Sequence, residues 1–170
     1  YGYISLSLSY QFARLALKAK YYNKSIYYIA EKLYGVEPDE QFLQVICSLL
    51  IKGNRTGKEY HEYFRLAVEA NLKIIGLNEF FIRSMDFETY DLIPQRVLIY
   101  FTYSNSLDYL EKAYLYSNVL RNKEKYEEVY GAYYSKMLPF IEEQLLKGRI
   151  NEHLAYLYTC FQKEVLEKPD

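Results

Sequence analysis

The sequence predicts an all-α fold of stacked antiparallel helical hairpins, about eight or nine helices in all. Three observations predict it. Apolar residues recur at three-and-four spacing along most of the chain, no stretch alternates for long with a period of two, and glycine (7) and proline (4) are scarce enough to read as punctuation. The 22 tyrosines, with no tryptophan, fall mostly on the same helical stripes. Each supplies a large apolar ring and a hydroxyl that needs water or a partner. Burying such a ring removes ~200 Å² from water, about 5 kcal/mol gross, against ~1–3 kcal/mol for a stranded hydroxyl. Tyrosine therefore suits the core of a thin two-layer stack, where no position lies far from solvent.

The elements follow in order. A first helix is expected over Ser7–Lys20, with Leu8, Phe12, Leu15, Ala16 and Ala19 on its apolar face. A second, Asn23–Tyr34, aligns Ile26, Ile29, Ala30 and Leu33 and closes at Gly35. Pro38 suits the first turn of a third, with Asp39 and Glu40 against the positive end of its dipole. That helix aligns Phe42, Val45, Ile46 and Leu49 and stops at Gly53. After an Asn54–Gly57 loop, a fourth runs from Lys58 to Lys73 with Tyr60, Phe64, Ala67 and Val68 aligned.

From Gly76 to Ile93 the pattern weakens: Phe80, Phe81, Ile82 and Met85 suggest a short helix, and Asp86 to Asp91 a connecting loop. Pro94 opens a helix to Tyr103, and Ser106 caps one carrying Leu107, Leu110, Ala113, Ser117 and Leu120. Glu124–Lys147 is the longest helical stretch, with Pro139 inside it predicting a kink or break. A last helix spans Asn151–Leu166, through Leu154, Leu157, Tyr158, Phe161 and Val165.

A chain of 170 residues, 51% apolar and 25% charged, fits one folded domain over 1–170. Its opening Tyr1-Gly2-Tyr3 and close at Lys168-Pro169-Asp170 lead to the expectation of a segment of a larger, bacterial-type protein. Lys and Arg (21) nearly cancel Asp and Glu (22), which argues against a nucleic-acid partner, since phosphates demand a basic surplus. The longest apolar run, Val45 to Ile51, falls far short of the ~20 residues of a membrane helix. Cys47 and Cys160 read as small buried hydrophobes, which leaves the compartment undecided.

The chemical candidates fall one by one. His61-Glu62 begins a zinc-protease helix, but Arg65 stands where the second histidine belongs. The only other histidine, His153, lies two turns from Cys160, roughly 10 Å along a helix and too far for a thiolate–imidazole pair. Gly53 to Lys58 has a Gly-Lys pair without the spacing of a phosphate loop. Asp86, Glu88 and Asp91 lack the glycine and closing glutamate of a calcium loop. Glu142 and Glu143 diverge by about 100° on a helix. No catalytic residue, metal ligand or cofactor is expected.

The hairpins echo one another: Leu17-Lys18-Ala19-Lys20, Leu50-Ile51-Lys52-Gly53 and Leu145-Leu146-Lys147-Gly148 each close one helix before the next begins. Tyr22 to Ile29, with Leu33 and then Pro38, resembles the second helix of a tetratricopeptide-like repeat and its terminating proline. Phe12, Ala13 and Ser25 match the family's large and small helix-contact positions, and Gly148 and Ile150 its inter-helix glycine and following large residue. Lys20, Lys32 and His153 depart from the pattern where glycine or a small residue is expected. The resemblance implies that Tyr10, Arg14 and Lys18, at every fourth residue of the first helix, line an inner groove able to hold an acidic peptide or chain terminus. The expected role is non-catalytic: protein or peptide binding, or scaffolding. The alternatives are a carbohydrate- or polymer-binding module using exposed tyrosines and a small all-α enzyme.

Overall fold

A computed structural model of the chain describes residues 6–88 and 92–162. The described residues form nine α-helices and no strand, as the apolar periodicity predicts. Their contacts divide the chain into two compact units, Tyr1–Asp86 and Phe87–Asp170. The first holds α1 (Leu6–Ala16), α2 (Lys24–Val36), α3 (Glu40–Lys52), a 3-10 turn (Lys58–Tyr60) running into α4 (His61–Glu69), and α5 (Leu77–Arg83). The second holds α6 (Gln95–Thr102), α7 (Tyr109–Arg121), α8 (Glu127–Leu146) and α9 (Glu152–Cys160).

In the first unit α3 is the central helix, packed on α1, α2, α4 and α5. Phe42, Val45, Ile46, Leu49 and Leu50 are buried along it. Asp39 caps its start, accepting from the Gln41 N–H at 2.8 Å, so Pro38 lies just outside the helix rather than in its first turn. At its other end Gly53 meets the α1–α2 turn so closely that a Cβ there would lie 2.6 Å from Tyr22 Cβ. Helix α1 ends at Ala16, four residues earlier than expected, and Lys52 reaches back to the carbonyls of Leu17 and Ala19 in the turn that follows. Gly76, at φ 86°, turns the chain into α5 beneath the Ile51 side chain. Phe80, Phe81 and Ile82 of α5 are consecutive and all buried, which is why this element shows no amphipathic period in the sequence.

In the second unit α7 is buried nearly all round, from Ala113 to Leu120. Asp108 caps it, not Ser106: the aspartate accepts from the Glu111 N–H at 2.8 Å, while Ser106 pairs with the Ser104 hydroxyl. Helix α8 docks on α6 through one line of side chains. The Tyr126 hydroxyl donates to the Ile93 carbonyl at 2.6 Å, Tyr133 to Leu98, and the Lys136 ammonium to Thr102 at 2.6 Å. Those carbonyls lie before, within and at the end of α6, so one helix satisfies another along its length.

Three further expectations need correction. Helix α8 runs unbroken through Pro139, which is exposed, so the Ser135 carbonyl it deprives of a donor faces water. Helix α1 buries Ser9, Ala13 and Ala16, while Leu8 and Leu15 are exposed; small residues let α1 approach α3 closely, and that rotates the leucines outward. Cys160 is exposed, whereas Cys47 is fully buried as expected, its thiol pushed up to about 12 by burial. Positions 89–91 and 163–170, including Asp91, Val165 and the end of the last predicted helix, lie outside the described residues.

Candidate functional site

The outer side of α1 carries the arrangement best suited to binding. Gln11, Arg14, Leu15, Leu17 and Lys18 line an open depression of ≈ 490 Å³. Leu15 is 69% exposed, and Arg14 and Lys18 are exposed beside it. Neither cation pairs with a carboxylate among the described residues. Residues 1–30 hold Arg14, Lys18, Lys20 and Lys24 and no acidic residue at all. Two carboxylates of the adjoining segment are engaged by other groups: Asp39 accepts from Tyr10 and from the Gln41 amide, and Glu31 from two tyrosines. Arg14 and Lys18 thus put positive charge next to bare leucine surface.

Of the three residues expected to form a stripe, the structure brings Arg14 and Lys18 together and places Tyr10 elsewhere. The Tyr10 ring stacks on Phe42 at 5.8 Å and its hydroxyl donates to Asp39 at 3.1 Å, so it belongs to the α1–α3 seam. Gln11, Leu15 and Leu17 are the other described residues that line the depression. The acid-free first thirty residues are the sequence signal for this face. Leu15 escapes sequence reasoning because a leucine at helical spacing normally marks the buried side.

A second cluster sits on the inner side of α2. Tyr27 and Tyr63 both donate to one Glu31 oxygen at 2.9 Å, tying α2 to α4. Tyr60 packs edge-on against Tyr27, and Tyr34 against Tyr63. Burial, then the Glu31 carboxylate, pushes Tyr63 up to about 12 and Tyr27 up as well. These hydroxyls are hydrogen-bond donors held in place, not proton donors at neutral pH.

The histidines are structural in setting. His61 Nδ1 lies 2.9 Å from Ser84 Oγ, but Ser84 is fully buried and gives its proton to the Phe81 carbonyl. His153 Nε2 faces the Phe87 carbonyl at 3.2 Å, with the Tyr114 ring edge-on at 5.0 Å. Burial lowers its pKa, which favours the neutral, donating imidazole. Asp86 pairs with Lys58 and Glu143 with Lys147, and the described residues contain no group of three or more metal-ligating side chains. Among them no helix is long and apolar enough to cross a membrane.

The fold defines an all-α protein of packed helical pairs. The chain belongs to a family of unknown function, DUF5717 N-terminal, whose model matches residues 1–168. No curated protein and no solved structure matches it.

Proposed function

We propose that this chain is a tetratricopeptide-like, non-catalytic binding module that holds an acidic segment of a protein partner on α1. Within each unit the substantial helix contacts run only between neighbours and next-but-one neighbours in the chain, which supports a stacked-repeat reading. The observation that carries the binding role is the α1 depression, where Arg14 and Lys18 flank exposed Leu15 and pair with no carboxylate among the described residues. Such a face takes an acidic peptide in two ways: the cations pair with its carboxylates, and Leu15 and Leu17 cover an apolar side chain between them. Tyr10 supports the face from beneath by fixing α1 on α3.

The sugar-binding alternative draws no comparable support. The most exposed tyrosines, Tyr21 and Tyr103, stand on separate units, and Tyr114, Tyr116, Tyr126 and Tyr133 are buried. The test is fluorescence anisotropy of a labelled peptide of alternating Glu and Leu against the whole chain, with Arg14→Glu/Lys18→Glu as control. Reversing two rim charges loses attraction and adds repulsion, so affinity should fall by about tenfold or more, and added salt should no longer weaken the remaining binding. Equal binding by both proteins removes the α1 assignment.

A further inference from the structure

We propose that the outward face of α2 is a second, separate docking strip, built for an amphipathic partner helix whose apolar stripe carries carboxylates. Ser25, Tyr28, Ile29, Lys32 and Val36 recur at three-and-four spacing and form one continuous stripe. A solvent-facing stripe is normally polar, yet here Tyr28 is 57%, Ile29 40% and Val36 86% exposed. Gly35 beside them has nothing within 4 Å of where a Cβ would sit, so the strip is open along its flank. From Ser25 to Val36 the rise is roughly 17 Å, the length of a three-turn helix laid alongside.

The charge on this face fixes the kind of occupant. Lys24 and Lys32 are its exposed charges, and Lys32 Nζ sits 5.2 Å from the centre of the Tyr28 ring, a cation held within apolar surface. The one carboxylate of α2, Glu31, is turned to the opposite face and accepts from Tyr27 and Tyr63. A partner carboxylate opposite Lys32 meets an exposed cation that sits over the Tyr28 ring and pairs with no carboxylate among the described residues. The strip is also rigid. Asn23 caps its start by accepting from the Ile26 N–H at 3.0 Å, Ala30 is fully buried, and the double tyrosine bond to Glu31 fixes the rotation of the helix. Little ordering remains to be done on binding.

The probe is a fluorescein-labelled 14-residue designed helix, with leucines on one stripe and a glutamate at its centre, titrated into the whole chain. Ile29→Ser/Val36→Ser trims the apolar part of the strip and should weaken binding by about tenfold or more, with unchanged circular dichroism; Val36→Ser alone, at an 86% exposed position, should weaken it in the same direction. Lys32→Glu should weaken the same probe and bind more tightly to a version carrying lysine in place of the glutamate. Arg14→Glu/Lys18→Glu should leave this probe's affinity unchanged, which separates the strip from the α1 face. Amide shifts should map to residues 25–36. The inference is overturned if the α2 variants bind normally, if the charge swap brings no recovery, or if the α1 variant alone abolishes binding. It also falls if vesicles of four parts phosphatidylcholine to one part phosphatidylserine bind the chain and the peptide does not.

Discussion

Removing a single hydroxyl should separate two kinds of buried tyrosine. Tyr126 is fully buried and donates to the Ile93 carbonyl at 2.6 Å, with Asn118 Oδ1 a further 3.5 Å contact. Ile93 is itself fully buried, so its carbonyl cannot turn to water when the donor goes. Tyr126→Phe therefore loses about 1 kcal/mol of net hydrogen bond and adds part of the ~1–3 kcal/mol of a stranded acceptor, about 2–3 kcal/mol together. Tyr133 is equally buried, but its acceptor, the Leu98 carbonyl, also receives the Thr102 hydroxyl at 3.0 Å. Tyr133→Phe leaves that carbonyl served and should cost about 0.5–1.5 kcal/mol. Urea unfolding followed by both circular dichroism and tyrosine fluorescence is the assay, since two compact units make the coincidence of the two probes a necessary check. At a slope of about 2 kcal/mol/M, Tyr126→Phe should lower the midpoint by about 1 M and Tyr133→Phe by half that or less. Tyr103→Phe, at a 90% exposed position, is the neutral control. If Tyr133→Phe proves as damaging as Tyr126→Phe, the stranded-carbonyl reasoning is wrong.

Four further expectations follow from the same geometry. Gly131 lies in the interior of α8 with open space where a Cβ would go, so Gly131→Ala should stabilise by about 0.5–1 kcal/mol, read as a rise in urea midpoint; a loss would show hidden crowding. Tyr63 and Tyr27 have pKa values raised above the unfolded value of 10, so they add stability below that pH and lose it as pH climbs through the folded values, Tyr63 near 12; in Glu31→Gln both should ionise earlier in a titration at 295 nm, and an unchanged curve would count against the Glu31 contribution. His153 has a lowered pKa, so its contribution is present above the unfolded value near 6.5 and lost as pH falls through the folded one; His153→Gln should flatten that part of the urea midpoint's pH profile, and superimposable profiles would refute it. In the native protein a thiol reagent should label exposed Cys160 quickly and buried Cys47 only on unfolding, and prompt double labelling would contradict the packing around α3.

Legibility tracked how one-sided each element's environment is. Helix α3 is legible in its core face and its end, because Phe42, Val45, Ile46 and Leu49 face one core and Gly53 follows it, while its start lies two residues later than expected, after the Asp39 cap. Helix α5 is legible as a short helix from Phe80, Phe81 and Ile82, but no face can be assigned to it, since burial on several sides erases the period that pattern reading depends on. Helix α1 was legible as a helix and misread in rotation: its leucines point out because Ser9, Ala13 and Ala16 make a flatter, closer seam. That misreading also moved Tyr10 out of the predicted stripe while leaving Arg14 and Lys18 on the surface. The Glu31 tyrosine pair spans 32 positions between Glu31 and Tyr63, and no local pattern can announce such a bond.

Tyrosine is used on the inside of this protein as a bolt, and that bears on what the outside is free to do. In both units a hydroxyl or ammonium from one helix is spent on an acceptor two helices away: Tyr63 on Glu31 of α2, Tyr10 on Asp39 at the start of α3, Tyr133 and Lys136 on α6, and Lys52 on the turn after α1. Such cross-links set the rotation and register of each helix, and all but the Lys52 one lie at half-buried or buried positions. The outer residues Arg14, Leu15, Lys18, Tyr28 and Val36 take no part in them, so the fold does not require apolar groups there. Exposed leucine, isoleucine and valine beside lysine and arginine that pair with no carboxylate among the described residues add to aggregation risk and nothing to stability. The two proposed docking faces give this combination a reason, and loss of both peptide-binding responses with the fold intact would leave those residues without one.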